Sequence, residues 1–201
     1  MRYDVSKEKL EDLGTYYLST GNNLHWPGPF VLPGWLEAWW QAFDWLNALL
    51  RPPNPGYTAW TPIFSTEPYY MLQCDFAYMI GPGMFDEFVK PELAATCKRL
   101  KNAFYHLDGV GQLPHLDSLL SIPELKGIQW IPGDGKPGEK HWPEVYRKIR
   151  AAGKLIQIHG GIDVLDAVAE QVGSAKGIIL IGSVDRKNED AVRRQMEAYA
   201  G

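Results

Sequence analysis

The chain has 201 residues, enough for one full domain or for one domain with a small appendage. A hydrophobic share of 45% is ordinary for a globular protein, and a net charge of −4 leaves no basic stripe to hold phosphates, which argues against a nucleic-acid partner. Cys74 and Cys97 are too few for a disulfide framework, no charged start followed by an apolar run opens the chain, and no apolar run is long enough for a bilayer, so a soluble cytoplasmic protein is expected.

In chain order, Ser6 to Leu13 reads as a short helix capped by Ser6, and Thr15 to Pro33 as a loop broken by Gly21, Pro27, Gly28, Pro29 and Pro33. Trp35 to Leu50 reads as a helix, because Leu36, Trp39, Trp40, Phe43, Leu46 and Leu50 recur at helical spacing; a proline-rich run then ends it. Residues 1–55 are therefore taken as a helical, tryptophan-rich segment. Its aromatic face suits covering or oligomerisation, with an aromatic ligand wall as the rival use.

From residue 56 to 201 the rhythm changes to β/α units. Tyr57 to Phe64 is a strand candidate weakened by Pro62, and Met71 to Ala77 a second strand candidate. Pro82 to Leu100 reads as a helix interrupted at Pro91. Ala103 to Leu107 is a strand, Leu113 to Leu120 a short helix, and Gly127 to Ile131 a strand. The helix opening at Trp142 and Pro143 stops at Gly153, the strand Lys154 to Ile158 follows, and the helix Ile162 to Val172 stops at Gly173. Gly177 to Ile181 is a strand and Glu189 to Ala200 the last helix. Alternating strands and helices with short connections predict a parallel α/β sheet, either partial or a shortened (β/α)8 barrel of the TIM type. About five strands are counted where a full barrel needs about eight.

Ligands in such folds collect at the carboxyl ends of the strands. His106 and Asp108 close one strand two residues apart, hence on one face, and an imidazole beside a carboxylate can bind a divalent metal or transfer protons. His159 closes another strand on the face of Gln157, ahead of Gly160 and Gly161, whose backbone could hold an anion at a helix start. His115 is expected to point into the same cleft. Gln73 and Asp75 share a face if their segment is extended. Cys74 is the only thiol near a strand end, a candidate soft ligand, and Trp130 with the Gly133-Asp134-Gly135 loop would wall the mouth.

The stretch from Gln73 to Leu93, the pair Phe104–Gly109 and Leu113–Asp117, and Gly127-Ile128-Gln129-Trp130 resemble the uroporphyrinogen decarboxylase superfamily, closest to its branch near the corrinoid-linked methyltransferases. The resemblance covers Gly56 to the C-terminus and implies a (β/α)8 barrel of which this chain holds mainly the later units. It also implies a zinc site that activates a thiol or positions a methyl donor, with a corrinoid protein as partner. His106 matches the family's metal-binding histidine. Asp108 stands where that pattern has cysteine, and the last strand, ending Gly182-Ser183-Val184, has none, which leaves a site of harder ligands built from His106 and Asp108, with Cys74 as a further, soft metal candidate.

Two other functions stand beside a metal-dependent methyltransferase acting on a small molecule. One is a non-catalytic binding or scaffold form of a shortened barrel. The other is a decarboxylase or lyase that needs no cofactor. A homo-oligomer is expected in each case, because part of a barrel leaves sheet edges uncovered.

Overall fold

A computed structural model describes residues 35–50 and 55–200; the expected Ser6–Leu13 helix and Thr15–Pro33 loop lie outside them. Five strands form one all-parallel sheet: β1 Tyr69–Leu72, β2 Asn102–Asp108, β3 Leu125–Ile131, β4 Leu155–His159 and β5 Ile178–Ile181. The sheet order is β1-β2-β3-β4-β5. Neighbours in sequence are thus neighbours in space, as along the wall of a β/α barrel, and among the described residues β1 and β5 are open edges.

The helices are α1 Trp35–Leu50, α2 Lys90–Arg99, α3 Leu116–Leu120, α4 Pro143–Ala151, α5 Ile162–Val172 and α6 Glu189–Ala200. Local chemistry sets their ends. Pro143 occupies the first turn of α4, where a missing N–H is no loss, and Gly173 ends α5 in the left-handed conformation at φ 80°. No helix among the described residues is long and apolar enough to cross a membrane.

Some expectations change. The strand expected over Met71 to Ala77 lies earlier, at Tyr69–Leu72, because the chain turns into a 3-10 helix over Asp75–Met79. Tyr57 to Phe64 is not a strand: it is a loop closed by one antiparallel bridge between Tyr57 and Ser65, with Pro62 unable to donate to a ladder. The loop lies over the sheet, where Thr61 Oγ1 and Tyr69 Oη bond at 2.7 Å. Pro82 to Leu100 is helical with the expected interruption next to Pro91. A turn at Pro82–Met84 passes into a π-helical stretch, Phe85–Val89, before α2 begins. Pro91 accounts for this, since its ring collides with the carbonyl four residues back in a regular helix and the wider turn relieves the clash.

Strand alternation divides the sheet into two faces. Tyr70, Leu72, Tyr105, Leu107, Ile128, Trp130, Ile156 and Ile158 point one way, and all are buried. That face meets the helices: Trp39 lies edge-on to Tyr70 at 5.4 Å, and Trp142, at the start of α4, lies edge-on to Trp130 at 5.2 Å. The aromatic face of α1 is therefore packing, with Trp39, Trp40 and Phe43 all buried. The other, inner face carries Met71, Phe104, His106, Asp108, Gly127, Gln129, Gln157 and His159.

At the amino ends of the strands Lys154 is buried, its ammonium donating to Ile122 O at 2.8 Å and Pro123 O at 3.1 Å. Burial, with Lys126 nearby, lowers its pKa below the usual lysine value. The clamp ties β4 to the turn before β3.

Between β2 and β3 the register skips Lys126, so that Ala103 faces Leu125 while Phe104 faces Gly127. The Phe104 ring lies over Gly127, and a Cβ there would stand 2.2 Å from its Cε1. Gly127→Val is expected to destabilise the chain by about 1–3 kcal/mol through overpacking. Urea unfolding would check this, and an unchanged midpoint would show that the ring moves aside freely.

Candidate functional site

The carboxyl ends of β2, β3 and β4 build the site. Paired positions in a parallel ladder project to the same side about 4.8 Å apart. Register sets His106 opposite Gln129, and Gln129 opposite Gln157. A polar row thus crosses three adjacent strands on the inner face, next to the apolar row of Phe104 and Gly127. Strand alternation puts Asp108 one step further towards the mouth.

The imidazole of His106 is held from two sides. Its Nδ1 bonds Gln129 Oε1, and its Nε2 lies 3.6 Å from Asp108 Oδ2. An amide oxygen only accepts, so Nδ1 carries the proton and donates it. Nε2 and the carboxylate then present lone pairs to one another, and a proton or a cation between them satisfies both. The His106 side chain is 14% exposed and that of Asp108 49%, so the carboxylate faces the mouth and the imidazole sits beneath it. Trp60, from the loop over the sheet, meets His106 edge-on at 4.9 Å, and its indole N–H donates to Met71 O at 3.1 Å.

Deeper in the row the amides are unsatisfied. Gln129 and Gln157 are fully buried, yet Gln129 Nε2 and both Gln157 Nε2 and Oε1 lack hydrogen-bond partners. An unmet buried polar group costs about 1–3 kcal/mol, so this row lowers the stability of the fold as it stands.

The expected site residues divide by face. His106, Asp108 and Gln157 come together, with His159 ending β4 on the Gln157 side, half-buried and opposite Ile181. Cys74 does not join them. It belongs to the helix side, where Gln112 Nε2 donates to Cys74 O at 3.4 Å and Tyr105 Oη donates to Gln112 Oε1 at 3.2 Å. His115 is also remote from the cleft: it is buried, stacked on Phe85 at 4.4 Å, and its Nε2–H donates to Ala77 O at 2.8 Å. Trp130, expected as a wall of the mouth, points to the helix side and packs on Trp142. Gln73 and Asp75 do not form one extended face, because the chain turns into a 3-10 helix at Asp75.

The Gly160–Gly161 junction does not offer an open anion site. The carboxylate of Asp163 takes that place itself: a Cβ on Gly161 would stand 2.6 Å from Asp163 Oδ1. Lys140 donates to the same carboxylate, and this bond, ahead of the backbone N–H groups of Asp163 and Val164, holds its pKa below the usual value. Gln129 is the residue that reading strand ends leaves unassigned. Its signal was an amide in the apolar run of residues 127–131, on the face shared by Gly127 and Ile131.

Two ligands of one tetrahedral zinc lie about 3.3 Å apart, close to the observed 3.6 Å between His106 Nε2 and Asp108 Oδ2. A catalytic zinc needs a third protein ligand, and Cys74 is on the wrong side of the sheet to supply it. Among the described residues no group of three His, Cys, Asp or Glu side chains converges. The described residues therefore fall one ligand short.

Burial pushes the Cys74 thiol up from its usual pKa and that of Cys97 up to about 12, so both stay protonated at neutral pH. Iodoacetamide is expected to label neither in the folded chain and both after denaturation, as read by mass spectrometry. Rapid native labelling of Cys74 would restore it as a reactive thiol. No protein-family model, no curated protein and no solved structure matches the chain.

Proposed function

We propose that this chain is an enzyme of the uroporphyrinogen decarboxylase-like type, part of a shortened barrel, that uses His106 to transfer a proton on a small molecule bound at the carboxyl ends of the strands. The observation that carries the reading is the hold on the imidazole. Gln129 keeps the proton on Nδ1, so Nε2 is the atom free to take or give a proton, and Asp108 stabilises the imidazolium once formed. Proton delivery to a carbanion after loss of carbon dioxide, or proton removal in a lyase, asks for this arrangement and no cofactor. The edge of Trp60 and the burial of the amide row keep water from competing for the proton.

A second reading is metal-assisted methyl transfer to a thiol, with the donor carried by a corrinoid protein. The resemblance places His106 at the family's metal-binding histidine, and its 3.6 Å separation from Asp108 suits two ligands of one ion. The missing third protein ligand ranks this reading second.

The two separate cleanly in solution. Solvent deuterium incorporation into a library of carboxylic acids, followed by NMR with the full chain, reads the proton-transfer activity directly. His106→Gln is expected to lower that rate by about 10²–10⁴-fold, and Asp108→Asn by a smaller factor. A His106→Gln variant with the wild-type rate removes the assignment. Stoichiometric zinc binding by calorimetry, together with zinc-dependent loss of methylcobalamin absorbance in the presence of a thiol, would promote the second reading over the first.

A further inference from the structure

Proton transfer on a carboxylic acid needs a cation to meet the carboxylate, and the catalytic pair does not supply one. No inner-face position of the described strands carries Lys or Arg. Neither does the loop over the sheet, residues 55–68, nor do the connections after β1, β2 and β4 at residues 73–81, 109–115 and 160–161. Arg186 and Lys187 follow β5, three strands from His106. Two lysines remain, both after β3. Lys140 is bound to Asp163, whereas Lys136 is exposed and has no carboxylate partner among the described residues.

The β3 connection carries Lys136 towards the catalytic pair. Gly109, the residue after Asp108, donates its N–H to Ile131 O at 2.8 Å, and a Cβ on Gly133 would stand 3.3 Å from Gly109 Cα. The connection is thus rooted on the end of β2. Gly133 and Gly135 have φ of 94° and 68°, and Lys136 N–H donates to Gly133 O at 3.3 Å, which closes a tight turn. Such a turn keeps its outer Cα atoms within about 7 Å, and a lysine side chain reaches about 6 Å further. The far end is held as well: Trp142 Nε1 donates to Pro137 O at 2.9 Å, and Tyr146 Oη to Glu139 O at 2.8 Å. The ammonium is therefore within reach of a ligand lying over Asp108, whose side chain is half open to solvent.

We propose that Lys136 binds the carboxylate of the substrate while His106 exchanges a proton with the same molecule, which makes the substrate a small monocarboxylic acid. The assignment rests on the proposed proton-transfer site and deepens it by naming the substrate class. Charge sets the number of carboxylates. Asp75, Asp108, Asp134 and Glu139 stand on the strand ends and connections around this one free cation, so a second carboxylate meets like charge and no countercharge.

The experiment follows the imidazole resonances of the full chain, labelled with 15N in its histidine rings, during titration with butyrate, phenylacetate, butyramide, phenylacetamide and succinate. Butyrate and phenylacetate are expected to shift the His106 resonances saturably, and the two amides and succinate to bind at least about 10-fold more weakly. Lys136→Gln is expected to weaken the two monocarboxylates about 10-fold, and Lys136→Arg to keep them within about 3-fold. Lys176→Gln removes the same charge at the amino ends of the strands and is expected to leave binding unchanged. For an acid that exchanges deuterium, Lys136→Gln is expected to raise KM about 10-fold with kcat within about 2-fold.

Four results would overturn the proposal: no shift of His106 by either monocarboxylate, equal binding of the amides or succinate, unchanged binding in Lys136→Gln, or an equal loss in Lys176→Gln. Binding is read without turnover, so the two readings fail separately. Deuterium exchange with an unchanged KM in Lys136→Gln defeats the Lys136 assignment alone. Lys136-dependent binding with a fully active His106→Gln, or with no exchange at all, defeats the proton-transfer reading alone.

Discussion

The pairing of β2 with β3 is the constraint on which the rest of the structure hangs. From Phe104 opposite Gly127 to Asp108 opposite Ile131 the two strands run in continuous register. Strand alternation then sends Tyr105, Leu107, Ile128 and Trp130 to the helices, and Phe104, His106, Gln129 and Asp108 to the inner face. A one-residue slip would bury His106 among the helices and expose Trp130, so the burial of four large apolar side chains and the placement of the chemistry are decided together. The skip at Lys126 matters for that reason. It brings Gly127 beneath Phe104 and Gln129 beside His106 in a single step.

Unmet polar atoms lie on both faces of the sheet. On the helix side His115 donates to Ala77 O, and Tyr105, Gln112 and Cys74 form a chain of bonds, while Trp130 Nε1 and His115 Nδ1 stay without partners. On the inner face the Gln129 Nε2 and Gln157 amide groups are unmet in full burial. Polar groups held in that state lower stability unless something else engages them.

Much of the architecture was legible because its signals are local. Periodicity and glycine stops gave α1 and α5 their bounds, and the apolar run of residues 178–181 announced a strand of a parallel sheet. His106 and Asp108 could be paired because they lie on one strand, where alternation alone sets the face. Cys74, His115 and Trp130 could not be placed that way. Cys74 sits just past a strand end where the chain turns into a 3-10 helix, His115 follows a 3-10 turn, and Trp130 alternates away from the mouth beside the residue that does face it.

The sequence by itself determined four of the five strands and most of the helices between them, and that a histidine and a carboxylate share the end of one strand. Those properties depend on residues a few positions apart and on the propensities of the residues themselves. Only the tertiary structure decided that Gln129 orients His106, that Gln157 stands next in the row, and that Cys74 faces the other way. Lateral register between parallel strands joins residues separated by whole helices, and it is set by how both faces of the sheet pack at once, which no local pattern records.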